Sequence, residues 1–140
     1  MYPTTMIATD AMIREHDFPK AARIIKEFND RQSRFDRLEI LDDLSDLDVI
    51  TYVLSRRGFV MFEPGYGDIE FSGFHGDGTM IYEKELLNDL ADVIVSIVPG
   101  HNPVVMEFLS ADATLFRFLF SDGDMTTQTG KIVWEDKGFL

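Results

Sequence analysis

Hydrophobic and polar positions follow two different periods along the chain, and the change falls near Gly58. Before Gly58, apolar residues recur every three or four positions, which is typical of amphipathic helices. After it, apolar and polar residues mostly alternate, which is typical of strands with one buried face. The pattern predicts a single α+β domain over 1–140. N-terminal helices are expected within 10–57, and a mostly antiparallel sheet of five to six strands with one inserted helix within 58–140.

Three helices are predicted in the first part of the chain. The first begins after Asp17, a residue type that caps helices. The second covers 35–44, because its leucines and its acids fall on opposite sides of a helix. The third covers about 46–57, with Ser45 and Asp48 in the spacing of a capping box.

The second part of the chain predicts two groups of strands, separated by a helix over 84–98. Residues 1–9 are predicted to form either an arm or an edge strand. Arg117 stands between two leucines of one strand, so a carboxylate partner is expected for it. Trp134 is expected as a core or edge aromatic of the last strand. The predicted strands are 59–63, 68–74, 79–82, 104–109, 115–121 and 125–135.

Composition narrows the class of partner. The chain has 25 acids, 13 bases and no cysteine, with a formal net charge of −12. This charge argues against direct binding to nucleic acid or anionic lipid and favours a basic protein surface. The absence of cysteine excludes disulfides and thiolate chemistry. No apolar stretch suits a signal peptide or a membrane span, so we expect a cytoplasmic protein without membrane association.

The charge is unevenly distributed along the chain. Residues 14–37 carry seven bases and five acids, whereas residues 38–140 carry 19 acids and six bases. Such asymmetry indicates either an interaction surface or a solvated face. The bases of the first third supply either a mixed-charge contact or internal salt bridges.

Motifs for catalysis or cofactor binding are absent from the sequence. It contains no phosphate-binding glycine loop and no nucleophile elbow. Asp68, Glu70, His75 and Asp77 could approach one end of the predicted meander, but a polar strand face and a turn explain them better. We therefore predict no catalytic residue, no cofactor and no metal, and a protein that is not an enzyme.

Two columns of acids are the most specific feature of the predicted helices. Within each column the acids are three or four positions apart, and no base is interleaved on the same face. Like charges at this spacing destabilise a helix by about 0.2–0.5 kcal/mol per pair, so a function other than helix stability is indicated. The first column is Asp36, Glu39 and Asp43, with Asp42 adjacent to it, and the second is Glu85, Asp89 and Asp92.

These acids suggest a small non-enzymatic interaction or inhibitor protein. In this hypothesis they bind a basic surface of a larger partner, imitating the nucleic acid that such a surface holds. In size, charge and lack of catalytic signature, the chain has the profile of small acidic inhibitors of phages and mobile elements, including anti-CRISPR and antirestriction proteins, a profile shared by many unrelated proteins. The protein itself is expected as a monomer or homodimer. The other interpretation of the columns is that they only keep the domain soluble.

A small-molecule binding module or small enzyme is the alternative function. It requires a pocket between sheet and helices in which several polar side chains converge. The candidates for these side chains are Tyr66, His75, His101 and Arg117.

Overall fold

The structure, a computed structural model, describes residues 3–77, 80–136 and 138. It contains three α-helices and one antiparallel sheet of eight strands, so the α+β class is confirmed. The helices are α1 (Phe18–Asp30), α2 (Asp46–Arg56) and α3 (Ile81–Asp89). The strands are β1 (Pro3–Thr9), β2 (Ala11–Ile13), β3 (Phe59–Phe62), β4 (Ile69–Asp77), β5 (Ile94–Ser96), β6 (Val104–Ser110), β7 (Thr114–Ser121) and β8 (Asp124–Lys131).

The sheet forks at one interrupted strand. β1 and β2 both run along β4, with Thr5 opposite His75 and Met12 opposite Glu70. On their other side β1 pairs with β6, whereas β2 pairs with β5. β3 pairs with β4, and β7 and β8 follow β6. The strand that begins the chain therefore lies inside the sheet, and the break at Asp10 marks the fork.

The core lies on one face of this sheet. In β6 the alternate residues Val104, Met106 and Phe108 are buried, while Val105 and its alternates are half-buried on the opposite face. The buried apolar residues of all three helices belong to the same cluster as these strand residues. Because side chains alternate along a strand, this pattern places the helices against a single face of the sheet.

The N-terminal region differs from the prediction in three respects. Two strands precede the first helix, which raises the strand count above five to six. Asp17 does not cap α1 with its side chain, since a short 3₁₀ turn, Glu15–Asp17, leads into that helix instead. No helix forms over 35–44, which is an irregular connection between α1 and α2. The tertiary hydrogen bonds that hold this connection are described with the candidate site.

The helix predicted over 84–98 is also wrong in its bounds. α3 begins earlier and ends at Asp89, and the β-branched residues Ile94 and Val95 form β5. Branching at Cβ favours strands over helices, so local preference and structure agree here. The predicted strand at 79–82 is wrong where it can be compared, because residues 81 and 82 are helical, while residues 78 and 79 lie outside the described residues.

The three C-terminal strands are confirmed, with the last one shorter than predicted. β8 ends at Lys131, and Trp134 lies beyond it with 88% of its surface exposed, so the prediction of a core or edge aromatic is wrong. Arg117 lies opposite Glu107 of β6 and forms an ion pair with it at 3.3 Å, as expected. In the described part of the chain, no helix has the length and apolar content needed to cross a membrane.

The predicted cap of α2 is confirmed and supports a stability prediction. The Asp48 N–H donates to Ser45 Oγ at 3.1 Å and thereby satisfies one free donor of the first helical turn. Replacing Ser45 by alanine is expected to destabilise the protein by about 1 kcal/mol in urea unfolding. Ser55→Ala, the same change near the end of α2, is the control and should have little effect. Equal stabilities of both variants would contradict a role for the cap.

Candidate functional site

The acids of the predicted second column lie next to bases of the α1 region. Arg31 approaches Asp89 at 2.5 Å and Glu85 at 3.8 Å, and Lys20 approaches Asp92 at 3.7 Å. No base is interleaved on the helix face of this column, but bases of a neighbouring element pair with it, so these acids are not unpaired. Exposed ion pairs of this kind contribute only about 0–1 kcal/mol each. Their main effect is to compensate the negative charge of these acids.

The first group of acids belongs to a longer stretch, residues 36–48, which we call the acidic segment. It contains six acids and a single base, Arg37. The Arg37 guanidinium donates to the backbone carbonyl oxygens of Asp30 and Gln32 at 3.1 and 3.2 Å. It therefore does not pair with the carboxylates of this segment. Within residues 3–77, 80–136 and 138, no Lys or Arg side chain forms an ion pair within 4.0 Å with these acids. They are Asp36, Glu39, Asp42, Asp43, Asp46 and Asp48.

Hydrogen bonds to neighbouring elements explain why residues 35–44 are not helical. The Asn29 side chain pairs with both backbone groups of Leu38, donating to its carbonyl at 2.8 Å and accepting from its N–H at 2.9 Å. The Arg57 guanidinium donates to the Asp36 carbonyl at 3.0 Å. These contacts satisfy backbone groups that a helix would otherwise pair internally. Tertiary contacts therefore override the helical pattern of the sequence.

The irregular chain still separates apolar from acidic side chains. Leu38, Ile40 and Leu44 pack against the core. Glu39 and the Asp42–Asp43 pair are exposed. Asp36 is half-buried and accepts a hydrogen bond from Ser33 Oγ at 2.8 Å. Three of the four predicted binding acids of this group thus face solvent, although the helix that was to present them is absent.

An acidic cavity continues this surface beside the start of α2. Its volume is about 550 Å³, and its lining combines four carboxylate residues with apolar side chains and contains no Lys or Arg. Asp68 Oδ1 accepts the Glu15 N–H at 2.8 Å, which holds two of these residues together. Sequence reasoning missed this cavity, because its acids come from three separate segments of the chain. They are Glu15, Asp46, Glu63 and Asp68.

A second polar cluster forms at the fork of the sheet and was also missed. Asp10 Oδ1 accepts the Val105 N–H of β6 at 2.9 Å, and Oδ2 accepts the Ser96 hydroxyl of β5 at 2.8 Å. His101 Nδ1 contacts the same Oδ2 from the β5–β6 connection. One carboxylate thus joins both branches of the fork. Asp10 is 86 to 95 residues away from its three partners in the sequence, so spacing gives no signal for the cluster.

The cluster contains serine, histidine and aspartate but lacks the order needed for nucleophilic catalysis. Ser96 donates to Asp10 and not to His101, so no imidazole is in position to take the hydroxyl proton. Burial alone would raise the pKa of Asp10, but hydrogen bonds from Val105, Ser96 and His101 hold that pKa below its ordinary value of 3.8. The arrangement stabilises an ionised carboxylate and points to a structural role.

The four residues of the small-molecule alternative do not converge. His101 lines a cavity of about 500 Å³, whereas Arg117 lies on a different surface formed by β7 and β8. Tyr66 is exposed in the β3–β4 turn, and His75 is exposed on β4. No three His, Asp or Glu side chains of the described residues lie close enough to hold a metal ion. The Asp77 side chain lies outside that description.

Comparisons with known proteins identified no relative of this chain. No family model matches the chain. Searches of curated proteins and of solved structures likewise gave no significant match. The geometry of the chain itself is therefore the basis for the functional argument that follows.

Proposed function

We propose that the protein is a small acidic, non-enzymatic interaction or inhibitor protein that binds a basic surface of a larger partner. The observation that carries this proposal is the acidic segment, 36–48, whose carboxylates form no ion pairs with bases of the described chain. A basic surface that holds nucleic acid would offer these carboxylates the lysines and arginines that the chain does not supply. The proposed function is thus imitation of nucleic-acid charge, as in the anti-defence proteins of phages.

The proposed contact surface is narrower than the sequence suggested. Glu85, Asp89 and Asp92 remain in the proposal as secondary contacts, because their charge is already partly compensated by Arg31 and Lys20. The exposed acids Glu39, Asp42 and Asp43 are its centre, with Asp36 at its edge.

Apolar side chains next to these acids support a protein partner over a free cation. Phe35 is 95% exposed directly before the acidic segment, and Leu41 is exposed within it. Aromatic side chains are enriched at protein interfaces, where burial adds to the attraction between charges. Together, exposed acids and exposed apolar groups match a basic protein surface that also has apolar contacts.

Neutralising the acidic segment tests this proposal. An oligoarginine peptide serves as the probe, with affinity measured by calorimetry at low and physiological salt. The triple variant Glu39→Gln, Asp42→Asn, Asp43→Asn should bind about tenfold to hundredfold more weakly, if each lost pair contributes about 0.5–1 kcal/mol. The native chain should also release a labelled DNA duplex from the peptide, and the variant should do so less well.

A matched control variant distinguishes the effect of where the charges lie from the effect of net charge on the affinity for the peptide. Glu27→Gln, Asp122→Asn and Asp124→Asn remove the same number of charges outside the acidic segment. This control should bind the peptide nearly as well as the native chain. Equal affinities for the two triple variants would show that only overall charge attracts the peptide and would overturn the proposal.

The cavity beside His101 is the observation that favours small-molecule binding as a second candidate function. Its volume of about 500 Å³ falls within the usual size of ligand sites. A ligand bound there would raise the melting temperature in a thermal-shift screen, and His101→Ala would reduce that rise. A screen of nucleotides and other metabolites that shifts nothing would count against this candidate.

A further inference from the structure

The edges of the sheet are very different from one another. β3 has four residues, and its register with β4 is broken between Val60 and Met61. β5 has only three residues. β8 has eight, and its register with β7 is continuous from Asp124 to Lys131. Among the described residues, β8 pairs with β7 alone, so its outer side presents a long row of unpaired backbone groups.

β8 also lacks the features that usually protect an edge strand. Such strands carry prolines, bulges or central charges, which prevent pairing with other chains. β8 contains no proline and no bulge, and its charged residues stand only at its two ends. The residues between them, Met125–Gly130, are uncharged. The edge is therefore open to a further strand along its full length.

The charge distribution favours a second copy of the chain as that partner. β8 carries one acid, Asp124, and one base, Lys131, at its two ends, so the strand itself is neutral within a chain of net charge −12. Copies of so acidic a chain repel each other, and a neutral surface is where they approach at least cost. Val133 and Trp134 follow β8 with 81% and 88% of their surfaces exposed, which adds apolar area of the kind enriched at interfaces.

We propose that β8 pairs antiparallel with β8 of a second copy and joins the two sheets into one. Two identical antiparallel strands are related by a twofold axis perpendicular to the sheet, which leaves each side chain on its own face. Only residues of the same face can then lie opposite each other. The axis therefore falls at Thr127 or at Gln128, the two central residues of β8. Neither register places two acids or two bases opposite each other.

Single cysteines test the predicted axis, because the native chain contains no cysteine. Residues directly opposite across an antiparallel pair have Cβ atoms about 4.5–5.5 Å apart, near the range that a disulfide can join. Thr127→Cys or Gln128→Cys is expected to form disulfide-linked dimers on oxidation. Ala111→Cys, in the exposed β6–β7 turn, is the control and should form few.

Sedimentation equilibrium tests the interface without a crosslink. The native chain is expected to dimerise, and the variant Thr126→Lys, Gln128→Lys should dimerise about fivefold or more weakly, since it places lysines opposite each other in either register. Ser55→Lys with Ala111→Lys makes the same charge change elsewhere and should not weaken the dimer. Circular dichroism checks that both variants are folded.

Three outcomes would overturn the proposal. The first is a native chain that stays monomeric at all accessible concentrations. The second is a dimer that both lysine variants leave unchanged, which would place the interface elsewhere. The third is crosslinking at Thr127 and Gln128 that is no faster than at Ala111. None of these measurements involves the acidic segment, so they are independent of the proposed function.

Discussion

Replacing Phe108 by alanine is expected to destabilise the protein by about 3–5 kcal/mol, the largest effect that we predict for a single substitution. Phe108 is fully buried in β6, on the core face of the sheet. Its ring stacks on Phe116 at 5.2 Å between centroids and also contacts Phe74 and Phe118 at 5.7 and 5.2 Å. Removing it leaves a cavity between three rings that are fixed on separate strand positions and cannot close around it.

Urea unfolding followed by far-UV circular dichroism measures this effect. Trp134 fluorescence is a poor probe, because that side chain is exposed in the folded protein. Phe35→Ala is the matched control, since it is the same chemical change at a residue that is 95% exposed, and should cost about 0.5 kcal/mol or less. Phe108→Leu, expected to be milder, provides a second measurement if the alanine variant does not fold. Similar losses of unfolding free energy in Phe35→Ala and Phe108→Ala would contradict the assignment of Phe108 to the core.

The neighbouring strand, β7, shows what sequence periodicity predicts well. Phe116, Phe118 and Phe120 alternate with residues of the other face, and no competing pattern fits this stretch. The structure places all three on the core face of β7, with Phe116 less buried than the other two. Hairpin strands of this kind depend on local alternation and short turns, both of which can be read from sequence.

The acidic segment shows where periodicity is insufficient. Leu38, Ile40 and Leu44 fit one side of a helix, but they also fit the inner side of an irregular chain that packs on the core. Whether these residues form a helix or an irregular connection depends on Asn29 and Arg57, which lie in other parts of the chain and form hydrogen bonds with the segment backbone. The exposure of the acids could be predicted from the sequence, because a helix and the observed irregular chain both turn them outward. The backbone conformation of the segment could not.

The ion pairs of Asp89 and Asp92 show the same limit for electrostatics. Spacing within one helix shows which acids lie near each other, but it does not show which bases a second helix brings alongside. Arg31 and Lys20 were part of the base-rich first third, for which internal salt bridges were one expectation. The structure confirms this expectation and identifies the pairs. The acids of the acidic segment, in contrast, form no ion pair with a base of the described chain.

Replacing Asp10 by alanine is expected to destabilise the protein by about 2–4 kcal/mol at neutral pH. The carboxylate, only 18% exposed, is an acceptor for the Val105 N–H and the Ser96 hydroxyl, and it contacts His101. Alanine would leave the donors of both sheet branches without this partner, and unpaired buried donors carry most of the cost. The measurement is again urea unfolding, with Asp10→Asn as a variant of similar shape.

The effect of Asp10 should depend on pH with a defined sign. The pKa of Asp10 is lower in the folded protein than its ordinary value of 3.8, so the folded state favours the ionised form. The resulting stabilisation is fully present above about pH 4 and is lost as the pH falls through the folded pKa. The difference in unfolding free energy between native chain and Asp10→Asn should therefore be constant near neutral pH and shrink in acid.

Asp112 provides the control for this pH dependence. Its pKa is also lowered, by hydrogen bonds from Thr114 and Ser110, but it lies fully exposed in the β6–β7 turn. Solvent screens such a group, so Asp112→Ala should change stability little at any pH. A larger loss at Asp112 than at Asp10, or a loss at Asp10 that grows in acid, would contradict the assignment. If Asp10→Ala costs more stability than Asp112→Ala, the Asp10 carboxylate stabilises the fold through its hydrogen bonds to β5 and β6. Both variants remove one negative charge, so the loss of charge alone would not explain the difference.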